Sequence, residues 1–350
     1  MPGGESPDLG GALLRPYIHG QAAGGDETTK FLHKLLPLSV QAALRDYLFK
    51  ELTDSFCGLL AVPLSVTDPS RVLRFLRLGW QRKLVRYGPS ALHNLHEFPA
   101  TPATPTNAAA AATVLVFVHG GAWGSGRPWM YRLVASGISE AINASSTVVV
   151  EYPVWPAATI LEQRDSIIAA LKLVREEGRE QHSNRRVVLC GHSSGANICA
   201  LALLEHEALA DAFIALSGVY DIAKHYLFEK SRGVHVISPM GAAALHPARS
   251  HEASPTLLLE RRTQISKAAF PPTLVLHGTE DTTVPVTSSV DFANALLRHG
   301  VRVQTGFPAN YSHMDPISHM LSTNSTSTAT YNYLSAFESS LSLSPPRSRL

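Results

Sequence analysis

A serine hydroxyl is a poor nucleophile until a base takes its proton, and three stretches of this 350-residue chain carry the residue types for that chemistry. The first is Gly191-His192-Ser193-Ser194-Gly195. It stands between an apolar run, 187–190, and a helical pattern through Ala196, Cys199, Ala200, Leu203 and Leu204. A serine at the tip of such a strand–turn–helix is lifted out of the sheet. A Cβ at either flank would collide with strand or helix, so both flanks are glycine. The first amides of the helix then face whatever Ser193 attacks, and a helix N-terminus favours developing negative charge. The chemistry implied is acyl transfer through Ser193.

The base needs a carboxylate to hold its tautomer. A strand over 274–277 runs into Gly278-Thr279-Glu280-Asp281-Thr282-Thr283-Val284-Pro285. An acid after the carboxyl end of a strand and before a helix is placed for that task. Asp281 is the candidate, with Glu280 as the alternative, and an N-terminal helix cap is the competing role for Asp281. A further strand, 301–305, leads into Phe307-Pro308-Ala309-Asn310-Tyr311-Ser312-His313-Met314-Asp315. His313 is the candidate base, His319 its nearby rival, and Asp315 a loop-structuring residue. A fourth stretch, for the oxyanion, is His119-Gly120-Gly121-Ala122-Trp123, after a strand at 114–118. A glycine-rich turn there leaves backbone N–H groups facing the serine. The expected oxyanion donors are the amides of Gly121, Ala122 and Ser194, with Gly120 shaping the turn and Trp123 walling the pocket. Asp221 and His225 follow a strand at 213–217; they either touch polar groups of a substrate or brace the segment after them, and bracing is the simpler expectation.

The elements that must position these residues alternate. Strands are expected at 114–118, 147–152, 186–190, 213–217, 274–277 and 301–305, with a possible one at 93–98. Helices are expected at 128–142, 159–177, 195–205, 285–299 and 328–340. The pattern is that of an α/β fold, a mostly parallel sheet with helices on both faces. It lapses between 218 and 270, an insertion read as part of a cap. Residues 1–30 are Gly-, Pro- and polar-rich and expected to be disordered; 31–86 read as a helical arm, 87–340 as the catalytic domain and 341–350 as a flexible tail. Within the arm a helix opens at Asp68-Pro69-Ser70 and runs through Leu73, Leu76 and Leu84. The arm interleaves Leu and Phe with Lys and Arg, so a peripheral membrane contact through 31–86 stands beside the plainer reading of a cap.

Composition narrows the classes. Hydrophobic content of 45% with 17% charged residues is that of a core-forming protein, and a net charge of +2 with no basic–aromatic pattern argues against a nucleic-acid partner. Cys57, Cys190 and Cys199 are too few and scattered for a disulfide framework, which points to a reducing, intracellular compartment, most simply the cytoplasm. The start, MPGGESPDLGG, lacks the pattern of a secretory signal, Pro2 precludes myristoylation, and no run reaches 18 apolar residues. Ser348-Arg349-Leu350 is a variant of the peroxisomal address. No metal site is expected, because the histidines show no paired ligand spacing, and no cofactor is expected, because there is no nucleotide-binding glycine loop.

Serine, acid, histidine, in that chain order and each after a strand, is the arrangement of α/β-hydrolases. From Val85 to the last helix the chain resembles their isoprenylcysteine methylesterase and kynurenine formamidase branch. The marks are Arg86-Tyr87-Gly88, His119 to Trp123, Gly191 to Gly195, Leu216-Ser217-Gly218-Val219-Tyr220-Asp221, Ser238-Pro239, His277 to Asp281 with Val284-Pro285, and Tyr311-Ser312-His313. The resemblance implies hydrolysis of a carboxyl methyl ester on an S-prenylated cysteine, with Ser193 as nucleophile, His313 as base and Asp281 as orienter. Two features depart from it: Ser194 stands where that branch commonly has alanine, and the arm lacks membrane spans that some members carry. The implied substrate is a small-molecule ester with an apolar tail. An arylformamidase acting on N-formylkynurenine and a non-catalytic ligand-binding protein on the same scaffold are the alternatives.

Overall fold

The computed structural model describes residues 69–99, 113–180, 185–206, 208–262, 270–321 and 325–342. Residues 31–68 of the arm expected over 31–86, with Cys57, and the C-terminal tripeptide lie outside these residues.

The chain opens with helix α1 (Pro69–Gln81) and two antiparallel edge strands, β1 (Lys83–Arg86) and β2 (Asn94–Pro99). Alternation then sets in: β3 (Thr113–Val118), α2 (Pro128–Ala141), β4 (Ser146–Glu151), α3 (Ile160–Glu180), β5 (Arg186–His192), α4 (Ser194–Glu205) and β6 (Ala212–Leu216). Three short helices follow, α5 (Ile222–Ser231), α6 (Met240–Ala243) and α7 (Pro255–Arg261). Strand β7 (Thr273–Leu276), α8 (Val286–Arg298), β8 (Val303–Gly306), α9 (Asp315–Ser318) and α10 (Ala329–Ser342) complete the order. The sheet runs β1-β2-β4-β3-β5-β6-β7-β8 and is parallel from β4 to β8.

Why these runs form strands is plain in β3, Thr-Val-Leu-Val-Phe-Val, where every residue is buried. Side chains alternate between faces, so Val114, Val116 and Val118 join one apolar layer and Leu115 and Phe117 the other. The first layer is closed by α3, α4 and α8 through residues such as Ile167, Leu203 and Phe292. The second is closed by α2 and α10 through Ile138, Leu334 and Phe337. Helix α3 is started by a capping box: the amide and hydroxyl of Thr159 donate to Glu162 Oε2 at 2.8 and 2.7 Å.

Two expectations change. The arm helix expected from Asp68-Pro69-Ser70 stops at Gln81, and Leu84, expected on it, lies on β1 in register with His96 of β2. The sheet therefore begins four residues before the expected boundary at 87. The insertion after β6 is a set of short helices folded into the core: Tyr220, Met240 and Leu259 are fully buried. It covers the outer side of α4, which is why α4 is buried all round from Ser194 to Leu204.

Candidate active site

Strand β5 delivers Ser193 and α4 begins at the next residue, so one peptide must turn the chain back on itself. Ser193 takes φ 55°, ψ −123° to do so, a strained conformation for a residue with a Cβ. Its amide donates to Leu216 O at 2.8 Å, which ties the turn to β6. A Cβ on Gly195 would come within 2.4 Å of the carbonyl oxygens of both Val118 and His119. This glycine lets α4 close on the end of β3, and that contact brings the turn after β3 to the serine.

His313 Nε2 lies 3.0 Å from Ser193 Oγ, and His313 Nδ1 lies 2.7 Å from Asp281 Oδ2. The carboxylate can only accept, so Nδ1 carries the proton and the Nε2 lone pair faces the serine hydroxyl. Asp281 Oδ1 takes the amides of Thr283 and Val284, each at 2.8 Å. Burial alone would push this carboxyl's pKa up. The hydrogen bonds from His277, His313 and the Val284 amide outweigh burial and hold it well below the usual carboxylate range. The side chain of Asp281 thus caps the turn toward α8 and meets His313 at the same time.

The two loops are joined backbone to backbone. The Glu280 amide donates to Tyr311 O at 2.9 Å and the Thr279 amide to Pro308 O at 3.2 Å. His192 Nε2 donates to His313 O at 3.1 Å. Burial pushes the pKa of His192 down to about 3, so it holds that carbonyl as a neutral donor. The alternatives separate cleanly: Glu280 is exposed, and His319 lies 3.7 Å from Asp315, whose carboxylate takes the Ser312 amide and structures the loop.

The turn after β3 carries three residues at positive φ in a row, Gly121 at 131°, Ala122 at 50° and Trp123 at 60°. It is closed by the amides of Gly124 and Ser125 on Gly121 O, each at 3.0 Å. Gly120 packs on Ser193: a Cβ there would meet the Ser193 Cβ at 3.0 Å. The amides of Gly121, Ala122 and Ser194 reach no acceptor among the described residues. Sequence reasoning missed His119, whose ring stacks between Tyr131 and Tyr152 and whose carbonyl takes the Tyr152 hydroxyl at 2.7 Å. No periodicity signals such a stack.

Trp123 differs from its expected role, whereas Asp221 and His225 take the simpler of the two roles weighed for them. Trp123 is not a pocket wall: it is 2% exposed, its Nε1 donates to Asn197 Oδ1 at 3.3 Å, and its carbonyl takes the Gln163 amide at 2.9 Å. It anchors the turn to α4 and α3. Asp221 caps α5 by accepting from the Lys224 amide at 3.0 Å, and His225 lies 3.6 Å from Glu229, so both brace the insertion. Ser194 is buried, its hydroxyl without a partner in the described structure. Beside the turn opens a cleft of about 270 Å³, lined by Leu92, Val154, Trp155, Pro156 and Ala157 with Arg127 and Glu151. Gly126, also on its wall, packs against the His119 ring, so the cleft lies across the turn from Ser193. No group of His, Cys, Asp or Glu among the described residues is placed to hold a metal ion.

A family described as alpha/beta hydrolase fold matches residues 115–314, and the chain belongs to it. Among individual relatives, it is 27% identical over 220 residues to the isoprenylcysteine alpha-carbonyl methylesterase of Arabidopsis thaliana, covering 58% of this chain and 50% of that one. It is 28% identical over 219 residues to the esterase LipC of Mycobacterium tuberculosis, covering 56% and 51%. The chain spans about half the length of the curated relatives it matches. Among solved structures, esterase B of Lactobacillus rhamnosis superimposes with a TM-score of 0.60 at 15% identity, over 80% of this chain and 96% of that one.

Proposed function

We propose that the chain is a serine carboxylic ester hydrolase. The observation that carries the reading is the line Ser193 Oγ, His313 Nε2, His313 Nδ1, Asp281 Oδ2, with contacts of 3.0 and 2.7 Å beside three unpaired amides. Ser193 attacks the ester carbonyl while His313 takes its proton; the resulting imidazolium is stabilised by Asp281. The oxyanion is received by the amides of Gly121, Ala122 and Ser194, each donor contributing about 3 kcal/mol in comparable sites. His313 returns the proton to the departing alkoxide, then activates a water that splits the acyl-enzyme and frees Ser193.

For the substrate, the methylesterase among the relatives favours a small alkyl ester carried next to an apolar tail, such as a prenylcysteine methyl ester. The outer face of α1 supports delivery of such a molecule from an anionic lipid surface. Leu73, Leu76 and Trp80 recur at helical spacing and are 68%, 40% and 83% exposed, and residues 69–86 hold six Arg or Lys and no Asp or Glu.

The deciding experiment is labelling with a fluorophosphonate probe, followed by turnover on esters graded in acyl size and tail, with N-formylkynurenine in the same panel. Wild type should label and Ser193→Ala should not, with turnover falling by about 10⁴-fold or more. A folded wild-type protein that stays unlabelled and turns over none of the panel would overturn the reading.

A further inference from the structure

We propose that His277 is a positioning residue for the carboxylate of Asp281, the outer member of a hydrogen-bonded line that continues past the three groups already described. The inference rests on the serine hydrolase reading above. His277 follows β7 and its side chain is completely buried. Its Nε2 lies 2.9 Å from Asp281 Oδ2 and 3.0 Å from Val284 O, and its Nδ1 lies 2.7 Å from the hydroxyl of Ser289 on α8. Both neighbours of Nε2 are acceptors only, so Nε2 carries the proton; Nδ1 then accepts from the Ser289 hydroxyl. That hydroxyl sets the tautomer of His277 much as Asp281 sets that of His313.

The consequence lies in how Asp281 is filled. Oδ1 takes two backbone amides and Oδ2 takes the His313 N–H, while His277 Nε2, whose N–H it shares with Val284 O, closes on Oδ2 at 2.9 Å. With Oδ1 held by the amides and Oδ2 by His277, the carboxylate cannot swing away from His313 as that ring takes and returns its proton. The second imidazole also draws charge from Oδ2. Without it, Asp281 would hold the His313 imidazolium more strongly, and His313 would give up its proton less readily. The ionisable groups facing this line are Asp281, His313 and, from β5, the neutral His192.

The test compares His277→Leu, His277→Gln and Ser289→Ala in the full chain, each first shown to keep the wild-type circular dichroism spectrum. Glutamine sets an amide N–H at about the reach of Nε2. His277→Leu should lower kcat by about tenfold or more with KM within about twofold, and should move the acid limb of kcat/KM to higher pH. Ser289→Ala should move the limb the same way by less, and His277→Gln should return kcat to within about threefold of wild type. The rate of fluorophosphonate labelling separates this inference from its parent. An unlabelled wild type sinks the hydrolase reading itself, whereas a folded His277→Leu that labels at the wild-type rate, or whose acid limb does not move upward, overturns the role of His277 alone.

Discussion

Asp281 accepts hydrogen bonds from two amides and from His313 and lies 2.9 Å from His277 Nε2, and each contact favours its charged form, so on the proposed hydrolase reading catalysis and folding draw on the same group. Because its folded pKa is depressed, the carboxylate contributes stability that is fully present above the ordinary aspartate value of about 3.9 and is lost as pH falls through the folded value. Asp281→Asn should therefore lower kcat by about 10⁴-fold and also flatten the fall in urea midpoint of the wild type between about pH 4 and lower pH. A variant that keeps the wild-type acid slope would contradict the depressed carboxyl. That Ser193, Asp281 and His313 would meet was legible in the sequence because each sits where a strand must end, with glycines marking two of the three turns. His277 and His192 were not legible as partners of the site. Both lie inside the same motifs, but their roles depend on which loops meet across the sheet. Trp123 was misread for a related reason: an aromatic next to a glycine turn looks like a wall until its indole N–H is seen to reach Asn197.

At the scale of elements, the acid and the base depend on the contact between two loops rather than on any helix or strand of their own. Gly278 is where those loops touch; a Cβ there would lie 2.1 Å from the carbonyl oxygen of Tyr311. Gly278→Ala should push the Asp281 loop off the His313 loop, lowering kcat by about tenfold or more while costing about 1–3 kcal/mol of stability, read from turnover and a denaturant titration. Unchanged activity would show that the loops can part without loss. The central strands and helices were legible within one to three residues because runs such as Thr-Val-Leu-Val-Phe-Val leave no other choice of layer. The edges were harder. After Trp80 the chain offers Gln-Arg-Lys-Leu-Val-Arg, which fits a helix as well as a strand, and only pairing with β2 decides it. The last strand starts at Val303 rather than 301, since Val301 is drawn back to Leu296 at the end of α8. The insertion escaped periodic reading because its helices are as short as four residues and are interrupted by prolines.

For the whole molecule, the exposed apolar stripe of α1 and its arginines give a measurable expectation. Vesicles rich in phosphatidylserine should co-sediment the protein, and Trp80→Glu combined with Leu73→Glu should weaken that binding by about tenfold or more without altering turnover of a freely dissolved ester. Equal binding to neutral and anionic vesicles, or none to either, would remove the lipid surface from the account. Among the described residues no helix is long and apolar enough to cross a membrane.

The amide of Ser193 donates to Leu216 O, and that of Ser217 donates to Leu276 O, so the parallel ladder runs on past the strands as far as the proposed nucleophile. Ser193 is a rung of the sheet, with no hinge between it and the core. On slow heating, protection of the Ser193 amide against hydrogen exchange and the far-ultraviolet signal of the sheet should therefore vanish over one temperature interval. The serine cannot melt first.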